Sequence, residues 1–593
     1  MIPASGFYGI VCCPHVSMSA RDIERLEAGG LPAPCLAGAQ RVLGVWQGAS
    51  LEAAQATEAG HWLVFLGVLH NRHELLTQLG LPAETPTARL LLQAWLRWPD
   101  TWTHRLDGLY ALAHWADNGR DLTLHRDASG ALGLFYGRTE SDCLAFSSHL
   151  GTLLRLPGMR RRLARKGLHE YLRLLDIAAP NTLFEGVRTL PAGEGVVLDM
   201  QRPGVERVVS APSYPVVDVP FDEAVAELES RLTAGIERRL DGLARPAAFL
   251  SGGVDSALIC ALAAGPRPDL EAITVGFDGA AYDETPIAHS VATHLGLRHR
   301  TLRFGREALL HALADAGRHA EQPSADPAGL ATLLAFEHCK HHYDGVLDGT
   351  GADELAGTMP PRHVRVAVAY TSRLPAPLRR QLAAGLLRLP GLAGYAPLFD
   401  FEHPAETMMR WHGFRRQEIE ALCGEPVSLA HTRFHEVFAR FPRTDHFART
   451  SALTEAQPSD RLSQAALISG LDVRFPYWDP SVEALLRSLP VPHRWRQDAP
   501  KHILRAVLAR HVPRPLWDFP KHGFDFPLRE FLCAEDFLLL RRYLLDNQWE
   551  QWQALAPEQV RSYASRFMAG ETRLLFRVWA LVTLAAWLEG HPA

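Results

Sequence analysis

The run Phe249-Leu-Ser-Gly-Gly-Val-Asp-Ser256 is an apolar strand end that turns through two glycines into an apolar helical pattern beginning at Ala257. Such a turn can hold pyrophosphate. Glycine lets the backbone approach an anion, the amides of a helix N-terminus point at it, and the Ser251 and Ser256 hydroxyls add donors. The run is neither a G-x-x-x-x-G-K-S/T loop nor a G-x-G-x-x-G fingerprint, so the two commonest nucleotide loops are not present here. A second loop, Leu347-Asp-Gly-Thr-Gly-Ala-Asp-Glu354, again follows a buried strand pattern and again offers glycines, now with three carboxylates.

Loops of this kind need a sheet to present them. Strand patterns at Ala272-Ile-Thr-Val-Gly-Phe277 and Gly345-Val-Leu-Asp348 alternate with helical stretches, which predicts a doubly wound parallel sheet. Phe221 to Leu240 repeats apolar residues at helical spacing directly before the phosphate-binding strand. Ahead of it, Ser210 to Pro220 is a proline-containing linker. Residues 1–210 show short runs such as Trp62-Leu-Val-Phe-Leu66 and Asp121-Leu-Thr-Leu-His125 between polar turns, the pattern of a β-rich layered domain. About 360–460 is rich in Arg, Leu and Ala without strand signals and reads as a helical insertion in a second domain, 220–593.

A chain of 593 residues exceeds one hydrophobic core, so two or three domains are expected. A hydrophobic fraction of 47% excludes long disorder, and a net charge of −5 argues against a nucleic-acid partner. The basic stretch Arg155 to Lys166 reads as a solvated linker face, and Cys339-Lys-His-His342 as a helix surface rather than a zinc site. Leu574 to Leu588 is too short to span a bilayer and carries Arg577; it reads as a buried C-terminal helix, and no membrane partner is expected. The opening Met1-Ile-Pro-Ala-Ser-Gly6 is not a signal peptide, and eight scattered cysteines indicate a reduced, cytoplasmic protein.

The hexapeptide Ser251 to Ser256 resembles the S-G-G-x-D-S motif of ATP pyrophosphatases, and with the second loop it is similar to the asparagine synthetase family. Asp460-Arg461, Leu471-Asp-Val-Arg-Phe-Pro-Tyr-Trp-Asp479, Lys501-His-Ile-Leu-Arg505 and Pro520-Lys-His-Gly-Phe524 match further family runs in order. The resemblance implies ATP and Mg²⁺. Leu250, Ser251, Gly252, Gly253, Asp255, Ser256, Val275, Asp348 and Gly349 are then nucleotide-binding, Asp255 and Asp353 metal-binding, and Lys521 the cation that stabilises charge as an amine attacks an acyl adenylate. The base is left open between Glu354 and the substrate's own carboxylate. Where β-lactam synthetases of the family carry a catalytic tyrosine, this chain has Thr350, a poor proton relay.

The N-terminal region resembles the family's class II glutamine amidotransferase domain, an αββα layered fold, through Leu69-His-Asn-Arg-His-Glu-Leu75, Arg105-Leu-Asp-Gly-Leu109 and Arg126-Asp-Ala-Ser-Gly130. Its chemistry is expected to be lost. The family's glutaminase uses a cysteine at position 2, which is Ile2 here, and the internal Cys12 and Cys13 have no free α-amine to serve as base. The glutamine-anchoring N-G-E-I stretch reads Leu66-Gly-Val-Leu69. The amine should then come from the substrate, as in the β-lactam synthetases and the lasso peptide cyclases of the family. The favoured expectation is a cyclase that joins an Asp or Glu side chain of a precursor peptide to its N-terminal amine. It implies a leader-recognition protein and a cysteine leader protease as partners, with the insertion and the N-terminal domain walling the peptide cavity. The alternatives are a β-lactam-forming or ammonia-dependent asparagine synthetase, and a non-catalytic peptide- or nucleotide-binding scaffold.

Overall fold

The computed structural model describes residues 5–12, 18, 24, 26, 30–37, 41–48, 51–116, 121–200, 202, 206–209, 214–277, 283–389, 391–408, 413–427, 429, 432–457, 460–519, 526–547, 549 and 553–591. Two six-stranded antiparallel sheets stack in the N-terminal part. One runs Val187–Thr189, Phe135–Arg138, Leu144–Ser147, Gly6–Val11, Arg41–Trp46, Leu36–Ala37; the other runs Glu206–Val209, Gly195–Asp199, Asp121–Arg126, Gly108–Ala116, His61–Leu69, Glu52–Glu58. Alternation along His61–Leu69 decides what each residue meets. Val64 and Leu66 enter the core between the sheets with Phe7, Trp115 and Phe146, while Leu63 and Phe65 face Leu90 and Leu91 of the covering helix Thr87–Arg97. The αββα layering expected from the amidotransferase resemblance is therefore present.

The expectation that the cysteines are reduced is corrected here. Antiparallel pairing of Val11 with Leu144 places the next pair, Cys12 and Cys143, opposite each other with Cα atoms 4.3 Å apart, and they form a disulfide. The alternating pattern around Cys12 could not show a partner 131 residues away. Cys13 lies outside the described residues.

The second sheet system is parallel throughout, ordered Arg298–Arg303, Glu271–Gly276, Pro246–Phe249, Gly345–Leu347, Val473–Arg474. Chain order thus runs outward in one direction from Pro246–Phe249 and then switches to the other side at Gly345–Leu347. Ligand crevices of doubly wound sheets open at the carboxyl ends of strands at such a reversal. The expected helix at Phe221–Leu240 forms with those bounds, acidic Asp222 and Glu223 in its first turn and Arg238 and Arg239 in its last, as the helix dipole favours. Helices, among them Arg362–Thr371, Ala376–Arg388 and His446–Ala456, fill the described part of 360–460. The C-terminal helix Leu575–Gly590 is buried; Trp587 donates its indole N–H to the Ala320 carbonyl at 3.0 Å, and the Tyr171 hydroxyl donates to the Ala580 carbonyl at 2.8 Å. No described helix is long and apolar enough to cross a membrane.

One buried arginine ties the halves together. Arg239 Nη2 lies 2.6 Å from Asp107 Oδ1 in the N-terminal layers, and its Nη1 lies 3.0 Å from Asp479 Oδ2. Arg238 also reaches Asp479. Removing one member of such a buried set strands the remaining charges, which typically costs about 3–5 kcal/mol. Arg239→Ala is therefore expected to lower unfolding stability by about that amount in urea denaturation, whereas Arg207→Ala, in an exposed pair with Asp121, should cost under about 1 kcal/mol.

Candidate active site

The turn Ser251–Ser256 follows the strand Pro246–Phe249, with Leu250 between them buried and its amide bonded to the Ile273 carbonyl at 2.8 Å. Ser256 Oγ accepts the Ser251 amide at 2.9 Å, and Ser251 Oγ accepts the Gly253 amide at 3.1 Å, which curls the backbone around the two glycines. The Gly252 amide already binds an anion: it donates to Glu284 Oε2 at 3.2 Å. That contact identifies Gly252 as an anion-facing donor of the turn, and Glu284 is a residue that sequence reasoning did not single out. The helix Val254–Ala264 follows, with Asp255 in its first turn. Val275 is half-buried on the neighbouring strand Glu271–Gly276.

The second loop leaves the adjacent parallel strand, so both loops emerge side by side. Asp348 Oδ1 accepts the Thr350 amide at 2.8 Å and the Thr350 hydroxyl at 2.5 Å, which folds the loop back and occupies Thr350. Gly349 packs closely on the first loop: a Cβ there would lie 3.2 Å from the Ser256 amide nitrogen and 3.3 Å from Asp255. Gly351 has φ +103°, and a side chain on it would meet Tyr477 at 2.9 Å and Trp478 at 3.0 Å. Asp353 and Glu354 open the short helix Ala352–Ala356.

Lys501 joins the loops. Its ammonium lies 2.5 Å from Asp255 Oδ2 and 2.6 Å from Asp353 Oδ1, with the side chain only 10% exposed. Burial by itself would lower its pKa, but the Asp255 and Asp353 carboxylates outweigh that and raise it, so the lysine stays charged. Its backbone sits in the left-handed region at φ 56°, a conformation costing about 1–2 kcal/mol for a side-chain-bearing residue, at the start of the helix His502–His511. Two carboxylates converging on one cation position suit Mg²⁺, a hard ion commonly held by one or two carboxylates plus substrate phosphates. The donor set therefore fits the expected metal.

Burial, then the Asp353 charge, push the Glu354 carboxyl up to about 7. Its Oε2 accepts the Gly351 amide at 3.1 Å. Glu354 and Thr350 stand at one end of a cavity of about 490 Å³ that extends past Glu455 and Arg487 to Leu66, Ser129 and His149 of the N-terminal layers, with Arg433 and Arg440 of the helical insertion on its wall. Arg487 binds Glu483 at 2.7 Å and, at 2.9 Å, Glu455, whose charge also acts on Glu354. Among the N-terminal residues that line it, Asp127 accepts the Tyr110 and Ser129 amides, Arg126 donates to the Leu190 and Gly130 carbonyls, and His149 meets Glu321 and the Ser5 carbonyl.

The structure thus gathers Ser251, Gly252, Gly253, Asp255, Ser256, Asp348, Gly349, Asp353 and Glu354 at one sheet edge. Lys521 and the rest of its Pro520 to Phe524 run lie outside the described residues, as does the side chain of Asp460. Lys501 was legible only as part of a matched run; nothing local in Lys501-His-Ile-Leu-Arg505 shows where its ammonium goes.

A family model for asparagine synthase matches residues 227–589, and one for a glutamine amidotransferase domain matches 49–207. Putative asparagine synthetases (glutamine-hydrolyzing) of Mycobacterium bovis and Mycobacterium tuberculosis are 29% identical over 509 residues, 80% of this chain and 76% of theirs. Asparagine synthetase (glutamine-hydrolyzing) 1 of Bacillus subtilis is 21% identical over 89% of this chain and 85% of its own. A carboxyethyl-arginine beta-lactam-synthase of Streptomyces clavuligerus is 28% identical over 52% of this chain and 58% of its own.

If Lys501 holds two carboxylates that otherwise repel, Lys501→Met should lower the melting temperature, and added Mg²⁺ should raise it by more in the variant than in the unsubstituted chain. Thermal melts with Mg²⁺ and with a chelator check both signs.

Proposed function

The chain belongs to the asparagine synthase family and is an ATP-dependent ligase of that kind; on this premise we propose that it forms an amide between two groups of one peptide, closing the macrolactam ring of a lasso peptide. The carboxylate is an Asp or Glu side chain of the precursor core and the amine is the core's N-terminus. The observation that carries this reading is the contrast between the two ends of the cavity. On one side it is lined by Thr350 and Glu354 of the second loop, and Lys501 ties the neighbouring Asp353 to Asp255 of the first. The other side has buried Leu66 where the family's amidotransferase places a glutamine anchor, and Asp127 and Arg126 there are bonded to the backbone. A cavity of about 490 Å³ walled by both sheet systems and the insertion suits a peptide substrate better than a single amino acid.

ATP with Mg²⁺ supplies the adenylyl group that makes the carboxylate electrophilic, and amide formation releases AMP after pyrophosphate. Gly252 and the Ser251 and Ser256 hydroxyls orient the phosphates, with the Glu284 carboxylate yielding its place on the Gly252 amide. Asp255 and Asp353, which contact Lys501 here, would hold the metal. Glu354, with a carboxyl near neutrality, can take the proton that the amine must lose. Lys521 is proposed as the cation facing the charge that develops on the carbonyl. The proposed partners are the precursor, a leader-recognition protein and a cysteine leader protease; the cytoplasmic location inferred from reduced cysteines loses that ground with the Cys12–Cys143 bond.

The test incubates the purified chain with ATP, Mg²⁺ and the cognate core peptide bearing a free amine, and follows AMP, pyrophosphate and product mass. Stoichiometric AMP with a peptide lighter by one water is expected. Turnover only with aspartate plus ammonium would replace this reading by an ammonia-dependent synthetase, and turnover only with a small β-amino acid by a β-lactam synthetase. Neither AMP release nor nucleotide binding in any arm would make the chain a scaffold.

Because a base must be unprotonated to act, the rate should rise with pH through about 7, where Glu354 titrates. Glu354→Gln should lower kcat by about 10²–10⁴ and remove that limb of the pH profile.

A further inference from the structure

Between Glu354 and Asp400 lie 45 residues without a single Asp or Glu, and among them are six arginines, in a chain whose net charge is −5. This segment forms the helices Arg362–Thr371 and Ala376–Arg388 and the turn that follows. Their inner faces are anchored. Val368, Thr371, Arg379 and Ala383 are buried, and Arg379 donates to the Phe401 carbonyl at 2.9 Å with its guanidinium 4.0 Å from the Phe401 ring centroid.

The outer faces expose apolar residues among basic and polar ones. Leu378, Leu382 and Gly385 fall at i, i+4 and i+7, one stripe along the second helix, and Leu389 just past its end is 51% exposed. On the first helix Val366 and Tyr370 are exposed between Arg362 and Arg373, Tyr370 at 65%, and Leu392 and Tyr395 extend the patch, Tyr395 at 54%. A Cβ added at Gly385, Gly391 or Gly394 would meet nothing within 4 Å, so the glycines open onto empty space rather than onto the walls of a groove.

We propose that this helical pair seats the chain on an anionic lipid surface. Protein partners usually bury their anchors in pockets, which this ridge does not offer at its glycines. A bilayer interface offers what the ridge lacks: an apolar layer for the leucines and, above it, phosphates within reach of arginines whose stems lie along the apolar boundary. The expectation of no membrane partner rested on the want of a spanning segment, but a helix lying in the interface needs no spanning length. Residues of the nucleotide loops take no part in the surface, so the contact is separate from the chemistry.

The test is co-sedimentation of the full chain with phosphatidylcholine vesicles, with and without phosphatidylglycerol. Binding at least about tenfold tighter to the anionic vesicles, and weakened by salt, is expected. Two variant sets probe the two halves of the contact. Arg362→Gln with Arg373→Gln and Arg388→Gln should lose about a hundredfold in affinity, given the contribution of each basic residue near an anionic surface. Leu378→Ser with Leu382→Ser and Leu389→Ser should lose at least about tenfold, since each removes apolar side-chain surface from the acyl boundary. Unchanged melting temperatures show that the exposed substitutions leave the fold intact. Equal binding to neutral and anionic vesicles, no binding to either, or binding indifferent to both variant sets would overturn the proposal. Failure on vesicles together with retention on an immobilised acidic amphipathic peptide would overturn it in favour of a protein partner.

Discussion

A single buried ammonium governs the adenylating half of this protein. Asp255 and Asp353 both contact Lys501 Nζ, which brings their carboxylates within about 5 Å of one another. Two like charges at that separation repel by about 3 kcal/mol at an effective dielectric near 20. The lysine converts that repulsion into a clamp, and the left-handed backbone at Lys501 shows that local conformation is given up to place it. The two carboxylates are thus organised around a positive charge that the protein itself supplies.

The clamp works because everything behind it is rigid. Reversal of strand order at Gly345–Leu347 puts the two loops next to each other, and Gly349 allows the second to press on the first. Tyr477, from the run that ends at Asp479, donates to the Asp255 carbonyl at 3.1 Å. Asp479 in turn belongs to the buried set around Arg239 that reaches Asp107 in the N-terminal layers. The amidotransferase-like half is thus a structural wall as well as a domain, continuous with the site through charges that water does not reach. A second buried link, Arg173 to Glu406 at 2.7 Å, joins the same layers to the helical insertion and holds the Glu406 carboxyl down to about 2 despite its burial.

Local signals were legible in the sequence and distant ones were not. The phosphate-binding turn, the helix Phe221–Leu240 and the parallel strands at Glu271–Gly276 and Gly345–Leu347 each follow from residues adjacent in the chain, through glycine placement or periodicity. The Cys12–Cys143 bond depends on strand register across 131 residues, and alternation near Cys12 alone pointed the other way. Lys501 is 246 residues from Asp255, and the position of its ammonium depends on the closed fold. Glu284 and the Glu455, Arg487 and Glu483 group were missed for the same reason: charged residues on helices and turns carry no mark of what they will face. Lys521, a candidate from motif resemblance, lies outside the described residues.

The central claim is that this family member keeps the carboxylate-activating chemistry while drawing its amine from somewhere other than glutamine. Glutamate release from added glutamine, measured in the same reactions in which AMP release is followed, tests it most directly. The expected result is AMP without glutamate. Glutamate appearing in step with AMP would contradict the claim and restore the N-terminal layers to a glutaminase.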